Sequence, residues 1–266
     1  MKFLYPAVIW LVLTFSANAE VLRLAVTTSF ANSGLADVLL PQIADDTGIS
    51  VQLLVVGSGQ ALRIAEAGDV DAVLVHDPAA EERFVAAGHG LHRREIMYND
   101  FVLIGPESDP ANTANATTIT GALKAIARQN RPFVSRGDSS GTHMRELQLW
   151  EAASLVPEGE WYRVVGQGMG AALNTATAMQ AYILSDRASW LNFGNRSGLR
   201  ITFSGDPSLF NQYSFIPVSP EDKPHIRDDL AAILEGWLTS KAAENLINGH
   251  TIDDVKLFAF NAVQAQ

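Results

Sequence analysis

Cysteine is absent from the 266 residues, which excludes a disulfide framework, thiolate chemistry and the lipid that a lipobox cysteine would take. Stability must come from burial alone, and 47% hydrophobic content is enough for one large or two medium domains of roughly 100 to 200 residues each. Positive charge is also in short supply. Against 29 acidic residues stand only 19 basic ones, a formal net charge of −10, which argues against nucleic acid or anionic lipid as partner. A small anion stays compatible, because backbone N–H groups, hydroxyls and one arginine make a pocket locally positive whatever the sign of the surface. Long apolar runs are scarce as well. The one at the N-terminus, Phe3 to Leu13, follows Lys2 and precedes Ala17-Asn18-Ala19. It is shorter than the roughly 20 residues of a spanning helix and reads as a secretory signal peptide over residues 1–19, cleaved after Ala19. A free, soluble, exported globular monomer without a lipid anchor is expected.

From Val21 the chain alternates short β-type runs with helical ones, the pattern of a mostly parallel sheet flanked by helices. "VLRLAV" reads as a strand and "SGLADVLLPQIADDTG" as one helix, with Leu35, Val38, Leu39 and Ile43 at helical spacing and Gly48 as its stop. "VQLLVVG" reads as a strand buried on both faces. "SGQALRIAEAG" follows as a helix capped by Ser58 or Gly59, then the strand "DAVLVHD" and a helix with Pro78 in its first turn. After the extended run "REIMYNDFVLIGPES" the β-α rhythm restarts and continues through "RPFVSRG", "SSGTHMRELQLWEAAS", "WYRVVG", "GMGAALNTATAM" and "AYILSD". A return strand in "NQYSFIPVSP" and two closing helices end the chain. No repeat or flexible linker interrupts it. The expected architecture is α/β with two lobes: residues 20–104 with 207–266 as lobe I, and 105–206 as lobe II. The chain would cross near Gly105 and again near Gly205.

Ligands of open α/β sheets sit beyond the carboxyl ends of strands, at helix N-termini. Four such ends here carry small or hydroxyl-bearing turns: "TTS" at Thr27 to Ser29, "GSGQ" at Gly57 to Gln60, "SRGDSSGTH" from Ser135, and "GQGMG" from Gly166. Free N–H groups and a helix dipole equivalent to roughly half a positive charge attract anions there. The plainer reading makes each Ser or Thr an N-cap contributing about 1 kcal/mol and needing no ligand. Four such turns, two in each lobe, favour the anion. Arg136 adds a rigid five-donor fork suited to an oxyanion, with Asp138 two residues on as the carboxylate that pins it.

Other readings of "SRGDSSGTHM" fare worse. "GDSSG" is not the GDSGG of trypsin-like proteases, and the spacing of His76, His89, His92 and His143 specifies no triad. The RGD is a chance tripeptide inside a strand-to-helix turn. His76, His89 and His92 with Glu81 and Glu82 match no tight metal spacing. Neither catalysis nor a cofactor nor a metal is expected.

The blocks "TTSFANSGLADVLLP", "VVGSGQAL", "GDVDAVLVHDPAAEERFV", "MYNDFVLIGP", "FVSRGDSSGTH", "GQGMGAALN" and "SDRASWL" together resemble the periplasmic tungstate-binding components of ABC transporters across nearly the whole mature chain. The resemblance implies a class II periplasmic-binding fold whose lobes close on an oxyanion for delivery to a membrane permease. By position it puts Thr27, Thr28, Ser29 and Ser58 on one side of the site and Arg136, Ser140 and Thr142 on the other. The chain departs mildly from the pattern, with "VTTS" where a third threonine is common and "GSGQ" where "GTGQ" is common, so pocket size is open while the hydroxyl is kept. Molybdate is not separable from tungstate on sequence. Phosphate is the alternative ligand, since phosphate-binding proteins of this fold use a similar Arg-Asp-Ser-Gly-Thr turn; sulfate ranks lower, and a serine hydrolase last.

Overall fold

The computed structural model describes residues 20–263; the signal-peptide reading of residues 1–19 lies outside them. In chain order the larger elements are β1 (Glu20–Thr27), α1 (Thr28–Asn32), α2 (Leu35–Thr47), β2 (Ile49–Val56), α3 (Ser58–Ala67), β3 (Ala72–Val75), α4 (Pro78–Ala86) and β4 (Arg94–Pro106). Then come α5 (Ile119–Arg128), β5 (Phe133–Ser135), α6 (Gly141–Ala152), β6 (Tyr162–Val164), α7 (Met169–Met179), β7 (Tyr182–Asp186) and α8 (Arg187–Asn192). The chain closes with β8 (Leu199–Phe203), β9 (Phe210–Pro217), α9 (Asp228–Leu238) and α10 (Lys241–Gly249).

The sheet runs β2-β1-β3-β9-β4-β7-β5-β6. Its two ends are parallel, β1 with β2 and β3, and β5 with β6 and β7. The middle is antiparallel, where β4 and β9 run against their neighbours. β4 is the strand that both halves share. From Arg94 to Asp100 it pairs β9, and from Phe101 onward it pairs β7 and β8.

Each half has apolar layers on both faces because alternate side chains of one strand point to opposite sides. On β1, Leu22, Leu24 and Val26 join the layer of α2, α9 and α10, while Ala25 joins Ala61, Leu62 and Phe84 under α3 and α4. On β4, Phe101 and Leu103 pack with Ile119, Leu123 and Trp150 of α5 and α6, while Val102 and Ile104 pack with Leu173, Ala176 and Trp190. The alternation is what lets one strand serve a layer on each of its faces.

Three local details differ from the sequence reading. The first predicted helix is present as α2, but ahead of it the "TTS" turn continues into a short helix, α1, that the sequence reading passes over, and Gly34 at φ +74° separates the two. "VQLLVV" is an edge strand rather than one buried on both faces: Leu54 and Val55 are exposed. β8, in "LRITF", is a strand that the sequence reading passes over. Its short alternation between two polar loops gives a weak signal, and pairing with the end of β4 holds it in place.

Candidate functional site

The strand-end turns meet at the seam between the two halves. The carbonyl of Ser139, before α6, lies where a methyl on Gly57 would be 3.3 Å away and one on Gly59 3.5 Å away. A methyl on Gly141 would lie 2.5 Å from His76 Cε1, 2.8 Å from its Nδ1 and 3.2 Å from Ser58 Oγ. Glycine is needed at position 141 for this close approach. The N-terminus of α6 is thus pressed against β3 and the N-terminus of α3, and on the far side Asn192 Nδ2 donates to the carbonyl of Asn32.

The hydroxyls sort into two kinds. Thr27 Oγ1 caps α1 by accepting from Phe30 N at 3.3 Å, and Ser140 Oγ caps α6 by accepting from His143 N at 3.2 Å. Ser140 Oγ also donates to Asp138 Oδ1 at 2.5 Å, so its proton is directed at a carboxylate and not at a histidine. Ser29 Oγ sits in a buried knot, 2.8 Å from Tyr213 Oη, 3.0 Å from Thr27 Oγ1 and 3.2 Å from His76 Nε2. Ser58 is different. The cap of α3 is Gly57, with no side-chain bond, and Ser58 Oγ is buried without a protein partner. Thr142 is buried in the first turn of α6 and Thr28 half-buried in that of α1.

Arg136 directly follows β5 and is only 6% exposed. Its Nη2 donates to Asp138 Oδ2 at 2.5 Å, as the sequence suggests, while its Nε is buried with no acceptor. A guanidinium N–H withheld from both water and protein is costly, by about 1 to 3 kcal/mol, until an acceptor arrives. Ser58 Oγ, His76 Nδ1, Asn99 Nδ2, Asp186 Oδ2 and Ser189 Oγ share that condition. The titratable groups here lie close enough to sense one another's charge: Arg136 acts on both His76 and Asp186, and Asp186 acts on Tyr213.

Burial first, and then the positive charge of Arg136, hold His76 down at about 4, so its ring is neutral at ordinary pH. Burial pushes the Asp186 carboxyl up, and pushes the Tyr213 phenol up likewise. A neutral imidazole, an uncommitted guanidinium N–H and free hydroxyls form a set rich in donors. Such a set desolvates an oxyanion and replaces its water shell with fixed dipoles. Beside it opens a cavity of about 250 Å³, lined by Asn32, Met169, Gly170, Ser189 and Asn192 among others. Met169 and Gly170 belong to the "GQGMG" turn, which thereby reaches the same seam.

Of the seven residues that the resemblance implies, Thr27, Ser29 and Ser58 stand in the strand-end turns of one half and Arg136 and Ser140 in that of the other, with Thr28 and Thr142 in the first turns of α1 and α6. His76, Asp186, Ser189 and Tyr213 are additions. The sequence reading finds in His76 only a histidine at no triad or metal spacing; in the structure one of its ring nitrogens bonds Ser29. Asp186 and Ser189 had a signal in the Asp-x-x-Ser spacing at the start of a helix, where Asp186 Oδ1 accepts from Ser189 N at 2.8 Å. Among the described residues no group of three or more His, Cys, Asp or Glu is arranged to hold a metal ion, and no helix is long and apolar enough to cross a membrane.

Two α/β halves sharing a strand, with donors converging at their seam, define a two-lobed solute-binding architecture, and the PBP superfamily domain matches residues 16–242. A tungstate-binding protein TupA from Peptoclostridium acidaminophilum is 47% identical over 226 residues, covering 84% of this chain and 79% of that protein. The solved tungstate-binding protein TupA of Desulfovibrio alaskensis G20 superposes with a TM-score of 0.82 at 43% identity, over 92% of this chain and 100% of that one. The tungstate ABC transporter structure from Geobacter sulfurreducens gives 0.80 at 44% identity, over 86% and 98%. The chain belongs to the TupA family within the PBP superfamily.

Proposed function

We propose that this chain is the solute-binding component of an ABC transporter, exported by the signal peptide of residues 1–19 to the periplasm, where it captures tungstate between its lobes. It then delivers the anion to a membrane permease. Lobe I comprises residues 20–104 and 207–266 and lobe II residues 105–206, with the partner switch of β4 just ahead of the first crossing. Ser58, Thr28 and the first turns of α1 and α3 donate from lobe I. Arg136, Thr142 and the N-terminal amides of α6 donate from lobe II, where Ser140 caps and orients the turn. Thr27 and Ser29 orient the first group through the Tyr213–His76 knot. Capture involves no covalent step and no cofactor: the anion gains contacts with both lobes only when they are together, so binding and closure favour each other.

The observation that carries this reading is the buried Arg136 Nε, without an acceptor, in the same seam as the unpaired Ser58 Oγ. Tungstate carries no proton at neutral pH, so a donor set suits it, and molybdate, of nearly the same size, follows closely. Hydrogenphosphate is the second reading, favoured by one feature: Asp186 Oδ2, unpaired, would accept the phosphate proton if ionised. A calorimetric competition among tungstate, molybdate, sulfate and phosphate tests both. The expected result is one tungstate per chain with molybdate as the strongest competitor; no heat with any of the four would refute the reading.

A further inference from the structure

Asp186 poses a problem for any dianion site. It ends β7 beside Phe101 of β4 and is fully buried. Its Oδ1 is used up as the cap of α8, whereas Oδ2 has no partner in protein. Ser189 Oγ, three residues on, likewise makes no hydrogen bond of full geometry, though it stands near enough to Asp186 to favour the charged form. An ionised Oδ2 in this water-poor seam would face a bound dianion across a low dielectric, where like charges repel strongly.

The surrounding groups relieve this only in part, because burial outweighs them. Arg136 at the end of β5 is the cation that acts on Asp186, and its Nη2 is already bonded to Asp138. Arg187, the next residue, is turned away and paired with Asp100 of β4, Nε to Oδ1 at 2.7 Å. On α6, which packs against β7, Glu146 accepts from Tyr162 Oη at 2.6 Å and His143 Nδ1 is 3.2 Å from Ser135 Oγ. From β3 and β9 come His76, whose ring is neutral, and the Tyr213 phenol. α7 contributes no titratable side chain.

We propose that Asp186 enters the closed complex as a neutral carboxylic acid and donates an Oδ2 hydrogen bond to the bound oxyanion. The inference rests on the oxyanion-binding reading and deepens it, making Asp186 a specificity-determining residue. A carboxyl that arrives ionised takes one proton from solvent as the anion binds. A protonated Asp186 gives a proton-free oxyanion one more donor, and it removes the acceptor that hydrogenphosphate would need. Burial, which disfavours the charged carboxyl, works in the same direction.

The test is the infrared spectrum of the wild-type tungstate complex at about pH 7, where an unperturbed Asp, of pKa about 3.9, is ionised. A carbonyl stretch of a protonated carboxylic acid is expected, absent from the Asp186→Asn variant; carbon-13 labelling of aspartate carboxyls assigns it without a substitution. In calorimetry Asp186→Asn, which keeps both a cap and a donor, should bind tungstate within about threefold of wild type. Asp186→Ala should bind roughly 10- to 100-fold more weakly, the loss of one donor to a charged group. A tungstate complex lacking the carboxylic-acid band, or an Asp186→Asn protein that melts normally yet loses tungstate, overturns the inference alone. A wild-type protein that takes no oxyanion overturns the binding reading and this inference with it.

Discussion

Substituting Gly141 by alanine separates closure from folding. In the closed arrangement the added methyl would stand 2.5 Å from His76 Cε1 and 2.8 Å from Nδ1. The ring has nowhere simple to go. It is tied to Ser29 through Nε2 at 3.2 Å and sits 4.7 Å, centroid to centroid, from Tyr213. Overpacking of this kind costs about 1 to 3 kcal/mol. Gly141 is the first residue of α6 and its φ is not positive, so alanine suits the local backbone, and with the lobes apart the methyl meets no ring. The whole penalty therefore falls on the closed, liganded state, and tungstate affinity should drop roughly 5- to 150-fold, at 1.4 kcal/mol per tenfold. Calorimetry reads the affinity, and thermal unfolding with and without tungstate reads the stability. The unliganded melting temperature should stay level while the ligand-induced rise shrinks. Affinity unchanged within about twofold, or an equal loss of unliganded stability, would refute the reasoning, because the seam would then not be one that ligand brings together.

Three further substitutions probe the same arrangement. Arg136→Lys keeps the charge but loses the fork, and since Nη2 is held by Asp138 while Nε is free, binding should weaken about tenfold or more; near-wild-type calorimetry would show that charge alone suffices. His76 has a folded pKa of about 4 against about 6.5 unfolded. The unfolded chain therefore takes up the proton first, and the stability present above pH 6.5 is lost as pH falls toward 4, by about 1.4 kcal/mol per unit. Denaturant melts at neutral and acid pH should show that slope, and His76→Gln should flatten it; an unchanged slope counts against the assignment. Glu81→Ala strands Arg93, which donates to Glu81 at 2.6 Å, and frees the Asp77 N–H bonded at 2.7 Å. A loss of about 3 to 5 kcal/mol is expected, read by the denaturant midpoint; a loss under about 1 kcal/mol would mean that water replaces the carboxylate.

Much of this was legible because the β-α rhythm and the turn chemistry are local. Leu22, Leu24 and Val26 announce a strand face, Pro78 a helix start, and the hydroxyl-rich strand ends a row of helix N-termini, all within a few residues of each other. What was not legible depends on partners far away in sequence. "VQLLVV" is as apolar as an inner strand and is an edge only because nothing pairs beyond it in the sheet order. His76 looks like any strand-end histidine until Gly141, on another lobe's helix, is laid against it. Asp186 looks like any helix cap, and its Oδ1 is one; the unpaired Oδ2 becomes visible only with the seam around it.

The contrast between Thr27 or Ser140 and Ser58 shows how cap and ligand readings part. A capping hydroxyl is satisfied within its own turn, so it gains little from an arriving anion and its worth is paid out in folding. Ser58 Oγ and Arg136 Nε are satisfied by nothing in the protein, and each leaves about 1 to 3 kcal/mol outstanding while the lobes are together. With the lobes apart, water relieves that penalty; with them together, only an acceptor from outside does. Ligand and closure are coupled for that reason, and a capping hydroxyl, already partnered in both states, adds nothing to the coupling. The residues that set affinity are accordingly those whose polar atoms look worst placed in the protein alone.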